Sequence, residues 1–350
     1  MSKEPENRIP LLQTLLQYEN VRTAQLLAEG SCQRNYPKSN DGWMKTIFVL
    51  EGRALDLIAV PLTLLVLHAT AYTLLTKLWL QRNDRAMESW EMFFSLVINT
   101  TLSFLLVFRL NRAADRYWSS RTLWGLLIAR ARAFSACIIA HTAEDNLYHR
   151  DEAIRWIVAS VIASMELLRG VKELPVLNFS GILSKDEVYR LSANTHPPIY
   201  AFDEARYHIN AIFRVTEHTP VGVAQMYARH LMALETHVDM LLECCGGLER
   251  IRGTPLPIVY VAHLRTFIVF ALLFFPYLWG PSWGWATIPI VTASAFAWLG
   301  IDGAAAEAEA PFRQNRVNAL DMNSYCLGYL EVVKQQLLNH AERLAVEQGR

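Results

Sequence analysis

The pentapeptide Gly280-Pro281-Ser282-Trp283-Gly284 satisfies G-x-S-x-G, the pattern in which a serine nucleophile sits on a strained strand-to-helix turn beside a histidine and an acid. Here it lies between two long uncharged runs, where a turn between membrane helices belongs, so hydrolysis at Ser282 is not expected. His230 and His237, seven residues apart, share one helical face with Glu235, Asp239 and Glu243 nearby. Two histidines without a third ligand at metal spacing suit a solvated or packed face better than a metal centre. There is no G-x-x-x-x-G-K-[ST] loop and no protease-like Cys/His context, so neither a nucleotide nor a covalent intermediate is indicated. No enzyme activity, metal or cofactor is expected.

A second set of residues points to physical rather than covalent chemistry. Thr100, Phe104 and Phe108 recur every fourth residue inside Met92 to Phe108, seventeen residues without a charge. At about 1.5 Å per residue such a helix just reaches across a hydrocarbon core. The spacing puts the three close to one line, with Asn99 and Ser103 beside them. A lipid-buried helix does not need that polar stripe, which is therefore read as facing protein or water. The run ends at Arg109, and Arg112, Arg116, Arg121, Arg130 and Arg132 follow, opposed before Glu144 by Asp115 alone. These arginines admit two explanations that are compatible. They mark a cytoplasmic flank by the positive-inside rule, paired with acids; and cations at a pore mouth raise the local concentration of anions.

The elements that must position these residues follow from composition and hydropathy. The 350 residues are 52% hydrophobic and only 19% charged, more apolar surface than one soluble core requires, which points to a membrane protein. Thirty-three basic and 33 acidic residues balance, which argues against nucleic acid as a partner. Five cysteines, Cys32, Cys137, Cys244, Cys245 and Cys326, are odd in number and lack CxxC spacing, so neither a disulfide framework nor a zinc site is suggested. The opening MSKEPENR carries acidic residues and no apolar core, unlike a cleaved secretory signal.

Along the chain, residues 1–45 form a polar N-terminal segment with a short surface helix around Leu11 to Leu27. Leu57 to Thr76, twenty uncharged residues, predicts a first membrane helix with Pro61 as a possible kink and His68 satisfied at a helix interface. The connection 81–91 is short enough to make the first and second spans antiparallel neighbours; together they occupy 46–108. Residues 109–253 predict a cytoplasmic helical region. There Tyr117, Trp124, Leu127, Ala131, Phe134 and Ile138 line one face of a long helix continuing from the second span. Residues 151 to 170 are too short an apolar run to span and predict a buried helix; a loop with His196-Pro197-Pro198 follows. Val221 to Leu248 is helical in pattern, with Gly246-Gly247 expected as its cap. Thr266 to Ile301 contains thirty-six residues without a charge, about 54 Å as one helix and far more than a bilayer core of about 30 Å needs. It must fold back, and Pro276 to Gly284 is the expected turn. Spans three and four thus fall in 254–302, with His263 and Arg265 at one end and Asp302 at the other. A tail, 303–350, ends in an amphipathic helix near Asn318 to Gln348. The fold class is all-α, four transmembrane helices with a cytoplasmic helical bundle and both termini on the cytoplasmic side.

Three blocks then carry a family resemblance. FRLNRAADRYWSSRTLWG at 108 to 125, GGLERIRGTPLPIVYVAHLRTF at 246 to 267 and EAEAPFRQNRVNALDMNSYC at 307 to 326 resemble, in the same order, the marker segments of the bestrophin-like channels. The resemblance implies a homopentamer in a lipid bilayer that passively conducts chloride and other small anions. The second span of each copy would line a central path whose neck is Thr100, Phe104 and Phe108, with Arg109 and Arg112 as basic residues at its mouth. Thr100 stands where the family has an aliphatic residue. Counting back from Thr254-Pro255 puts an inner constriction at Arg229, or at Met226 or Ala233 if the register slips. The acidic run that binds calcium in animal members is replaced here by Arg313, Gln314, Asn315 and Arg316, so no such clasp is expected. A cation-selective channel of the same fold, a membrane scaffold and a membrane-bound hydrolase at Ser282 remain as alternatives.

Overall fold

A computed structural model describes residues 9–18, 53–80, 88–179, 181–314, 316 and 318–347, and among these there are helices and no strand. In chain order the helices are α1 (Leu11–Tyr18), α2 (Leu55–Leu74), α3 (Glu88–Phe93), α4 (Thr100–His141), α5 (Leu147–Arg169), α6 (Lys185–Ala193), α7 (Pro197–Ile212), α8 (Val221–Gly253), α9 (Ile258–Trp283), α10 (Thr287–Ala308) and α11 (Met322–Glu347). Wider π-helical turns continue α2 over Leu75–Leu80 and join α3 to α4 over Phe94–Asn99. The rest of the expected Leu11–Leu27 helix, Cys32 and residues 81–87 of the first connection lie outside the described residues.

Among the described residues three stretches are long and apolar enough to cross a membrane: Leu55–Leu78, Glu91–His141 and Ile258–Ala308. The last is two legs, because the chain reverses at Gly284 (φ 56°) and a single 3-10 turn, Gly284–Ala286. Four legs result. The turn comes later than the expected Pro276 to Gly284, since Pro276 and Pro281 both lie inside α9. A membrane helix tolerates proline where neighbouring helices support the freed backbone, and both Phe275 and Pro276 are buried in the layer. Lipid tails are as apolar as leucine, so close approach rather than hydrophobicity holds such helices together. Glycine supplies it at two places along α2. A Cβ at Gly303 would meet the Cβ of Ala54 at 2.7 Å, and one at Gly280 would meet Cε1 of Tyr72 at 2.7 Å. His68 sits at a helix interface, its Nε2 lying 3.1 Å from the Tyr277 hydroxyl, while its Nδ1 is buried without a hydrogen-bond partner.

Beyond the spans the helices bundle around α5, which is buried without interruption from Arg150 to Glu166. Its charged residues are paired inside the bundle: Arg150 with Asp151 at 2.8 Å, and Arg155 with Glu152 at 3.4 Å. Asp151 also accepts the Leu11 N–H at 2.9 Å, and Arg155 donates to the Ile9 carbonyl at 2.6 Å, which seats α1 on the bundle. α8 runs straight through Gly246-Gly247 to Gly253 rather than stopping there. The reason is packing: a Cβ on Gly247 would lie 3.1 Å from Leu123 on α4, so glycine serves helix approach instead of a cap. The described cysteines, Cys137, Cys244, Cys245 and Cys326, are free.

α4 ties the two layers together, and its buried residues repeat at steps of three and four through Leu102, Leu106, Arg109 and Ala113. Arg109 is thus in the core, 1% exposed, which corrects its assignment to a pore mouth with Arg112. One residue along a helix turns by about 100°, so the neighbour of Phe108 in sequence faces away from it. The Arg109 guanidinium is 3.2 Å from Asp302 through Nε and donates to Glu309 at 2.9 Å through Nη2, with Nη1 also against Glu309. Arg265 of α9 holds the other Asp302 oxygen at 2.8 Å. Removing one partner of a buried ion pair costs about 3–5 kcal/mol because the other charge is stranded. Arg109→Met is therefore expected to lower the thermal midpoint sharply, while Arg112→Ala on the exposed face stays within about 0.5 kcal/mol of wild type. Equal melting of the two variants in a tryptophan-fluorescence scan would remove Arg109 from this role.

The α4–α8 seam adds a pH dependence. The His230 ring stacks on His141 with centroids 4.0 Å apart. Burial first, and His141 second, hold the His230 imidazole below its ordinary value of 6.5. His237 is lowered likewise by burial and by Arg130. The folded state thus favours neutral rings while the unfolded chain takes up protons first. Stability is expected to be level above about pH 6.5, to fall as the pH drops from there toward the lowered native values, and to level again below them. Melting curves between pH 7.5 and 5 check this, and His230→Gln should flatten the slope.

Candidate functional site

Opposite the buried edge of α4 lies a face that the protomer does not cover. Thr100 and Ser103 are exposed there, Phe104 is 63% exposed and Phe108 44%. The two phenyl rings stand edge-on with centroids 4.6 Å apart, so they form one continuous aromatic strip along the helix. Asn111, Arg112 and Asp115 extend the same side beyond the strip. Arg112 lies 3.9 Å from Asp115 with both side chains mostly in solvent, a pair worth little in water.

Arg229 is exposed on α8, as are Met226 and Ala233, one turn to either side. All three candidates for the inner constriction therefore share the solvent side of that helix, away from Leu234, Val238 and Leu241 in its core. Two of the acids near His230 and His237 are spent otherwise: Arg206 donates to Glu235 at 2.8 Å and also binds Asp239. Among the described residues no group of three or more His, Cys, Asp or Glu side chains is placed to hold a metal ion. Ser282 occupies the last turn of α9, a regular helical position rather than a strained elbow. Of the two glutamates before Pro311, Glu309 is held by Arg109, and Glu307 lies 3.6 Å from Arg316, which is itself bonded to Asp56 at 2.7 Å.

Two positioning features escaped the sequence reading. Asp302 and Arg265 were visible only as the ends of two spans, yet opposite charges at one depth of neighbouring helices are a signal that they meet. Arg116 was read as one more flanking cation. Its guanidinium instead donates to the carbonyls of Ile251, of Thr254 at 2.7 Å and of Glu309 at 2.9 Å. Those carbonyls close α8 and α10, so Arg116 gathers the ends of two helices onto α4 where their own hydrogen bonds run out.

A family model described as bacterial/fungal bestrophin protein matches residues 35–334. A voltage-dependent anion channel-forming protein of Nostoc sp. is 26% identical over 287 residues, covering 81% of this chain and 88% of its own. A namesake from Synechocystis sp. is 29% identical over 233 residues, 66% of this chain and 73% of its own. Among solved structures, a bacterial bestrophin homolog from Klebsiella pneumoniae superimposes with a TM-score of 0.67 at 20% identity, over 80% of this chain and 98% of that one. With helices and no strand among the described residues and a family match across most of its length, the chain is a member of the bacterial/fungal bestrophin family.

Proposed function

We propose that this protein is a bestrophin channel subunit that passively conducts chloride and other small anions through an axial path built by five copies. The observation that carries the reading is the uncovered strip of Thr100, Phe104 and Phe108 on a helix whose other edge is fully packed. The names of the relatives, anion channel-forming proteins, point the same way. A ring of phenylalanines narrows and dries the path, and the positive ring edges favour an anion that has shed part of its water. Thr100 keeps the outer end of the neck wettable. Arg112 supplies a partly countered positive charge just past Phe108, and a ring of Arg229 residues at the inner constriction would attract anions and repel cations. Both termini lie on the cytoplasmic side in this reading. Calcium has no role at this tail in the reading: Glu309 is held by Arg109, and Arg313, Gln314, Asn315 and Arg316 follow Pro311-Phe312 in place of an acidic run.

Reversal potentials of the purified protein in planar bilayers under a sodium chloride gradient test the proposal. They are expected near the chloride equilibrium potential, and Arg229→Ala should move them toward zero. A potential near the sodium equilibrium would establish the cation-selective reading, and absence of current the scaffold. Phe104→Ala with Phe108→Ala is expected to raise unitary conductance at least about twofold, because the dry constriction is opened to water. Unchanged conductance in that double variant would place the ion path elsewhere.

A further inference from the structure

A cavity of about 870 Å³ opens beside the start of α2 and the end of α10, and none of Thr100, Phe104 and Phe108 lines it. Its walls divide by chemistry. Phe296, Gly300 and Ala304 recur every fourth residue and make an apolar trough down α10, with Gly300 leaving open space where a side chain would stand. The far end is polar and is formed by Arg53, Tyr117 and Glu307. The trough lies within the membrane-crossing stretch Ile258–Ala308 and the polar end where that stretch finishes, so the cavity runs from acyl-chain depth to the headgroup level.

Glu307 is the residue that specifies a ligand. It is only 8% exposed, and its Oε1 is buried without a hydrogen-bond partner. Arg316 supplies charge at 3.6 Å but directs that same nitrogen to Asp56 at 2.7 Å. A buried carboxylate oxygen lacking a donor is costly, and such an atom calls for a partner. We propose that the cavity binds a membrane phospholipid bearing a primary ammonium headgroup, of the phosphatidylethanolamine class. The ammonium donates an N–H to Glu307 Oε1, the phosphate lies toward Arg53, and one acyl chain follows the trough past Gly300 to Phe296. A choline headgroup has the same charge but no N–H, and a glycerol headgroup has no cation to set against Glu307.

Native mass spectrometry of the full chain released from nanodiscs tests this with lipids of matched acyl chains. A charge-assisted hydrogen bond in a sheltered site predicts about tenfold greater retention of the ethanolamine lipid than of the choline lipid. On wild-type protein the preference should survive one and two N-methyl groups and vanish with the third, which removes the last N–H. Glu307→Gln should bring the two lipids to within about twofold, and Ala304→Trp, which fills the trough and leaves the charges alone, should lower retention of both. Equal retention by wild type, or a preference unchanged in Glu307→Gln, overturns the proposal. Loss of oligomer in Ala304→Trp with lipid retention intact assigns the trough to a second copy and overturns it as well.

Discussion

The rotation of α4 about its own axis is the constraint on which the rest of the molecule depends, and the buried charge cluster sets it. Arg109 cannot leave the interior without stranding Asp302 and Glu309, and Asp302 is in turn shared with Arg265. Two cations and two carboxylates from α4, α9 and the end of α10 thus meet at one depth. Once Arg109 points inward, helix geometry leaves no freedom for its neighbours. Phe104 and Phe108, at five and one residues before it, must point outward, and Arg112 follows them. Chemistry at the surface is therefore dictated by an ion pair that never touches it.

That constraint is transmitted because α4 is continuous. Its 42 residues make a rod of about 63 Å, long enough to cross the membrane and reach the far side of the bundle. No proline interrupts it, and its polar residues are turned to local partners: Ser120 and Ser135 donate to carbonyls four residues back, while Arg116 caps the ends of α8 and α10. A rotation of the rod at Phe104 is a rotation at Phe134. Since Phe134, Trp124 and Leu127 are fully buried against the bundle, the aromatic strip is held from below as well as from the side. The membrane layer alone, which packs through glycine contacts and gains little from hydrophobicity, would hold it less firmly.

How much of this was legible in the sequence depended on whether the deciding interaction was local. Periodicity exposed the all-α class, the apolar runs, the strip of Thr100, Phe104 and Phe108 and the buried edge from Trp124 to Ile138, because each is a property of one helix. Turns were less legible. Pro276 and Pro281 look like breakers in sequence, but a membrane helix supported by neighbours carries them, and the reversal came at Gly284, where φ is positive. Gly246-Gly247 looks like a cap, yet what matters there is the approach of Leu123, a contact across 124 residues of chain. Arg109 was misplaced for a related reason. Closeness to Phe108 along the chain was read as closeness in space, whereas its partners lie some 200 residues away and no local pattern announces them.

The same packing decides where an aqueous path can and cannot run. Inside one protomer the space between the legs is filled by Leu102 and Leu106 of α4, Leu264, Ile268 and Leu272 of α9 and Val291 and Ala295 of α10, all buried in one contiguous cluster. Interiors of that density admit no column of water. The polar and aromatic side chains suited to lining such a column, Thr100, Ser103, Phe104 and Phe108, are on the outside of that cluster. A single α4 presents one narrow strip and cannot surround an ion by itself. In the proposed reading, repetition of the strip about an axis would enclose a path, and closed rotational symmetry is the arrangement that leaves no strip exposed at an end. In the proposed channel the ion pair at Arg109 therefore acts beyond its own subunit: by turning the strip outward, it would leave conduction to a ring of copies and not to one chain.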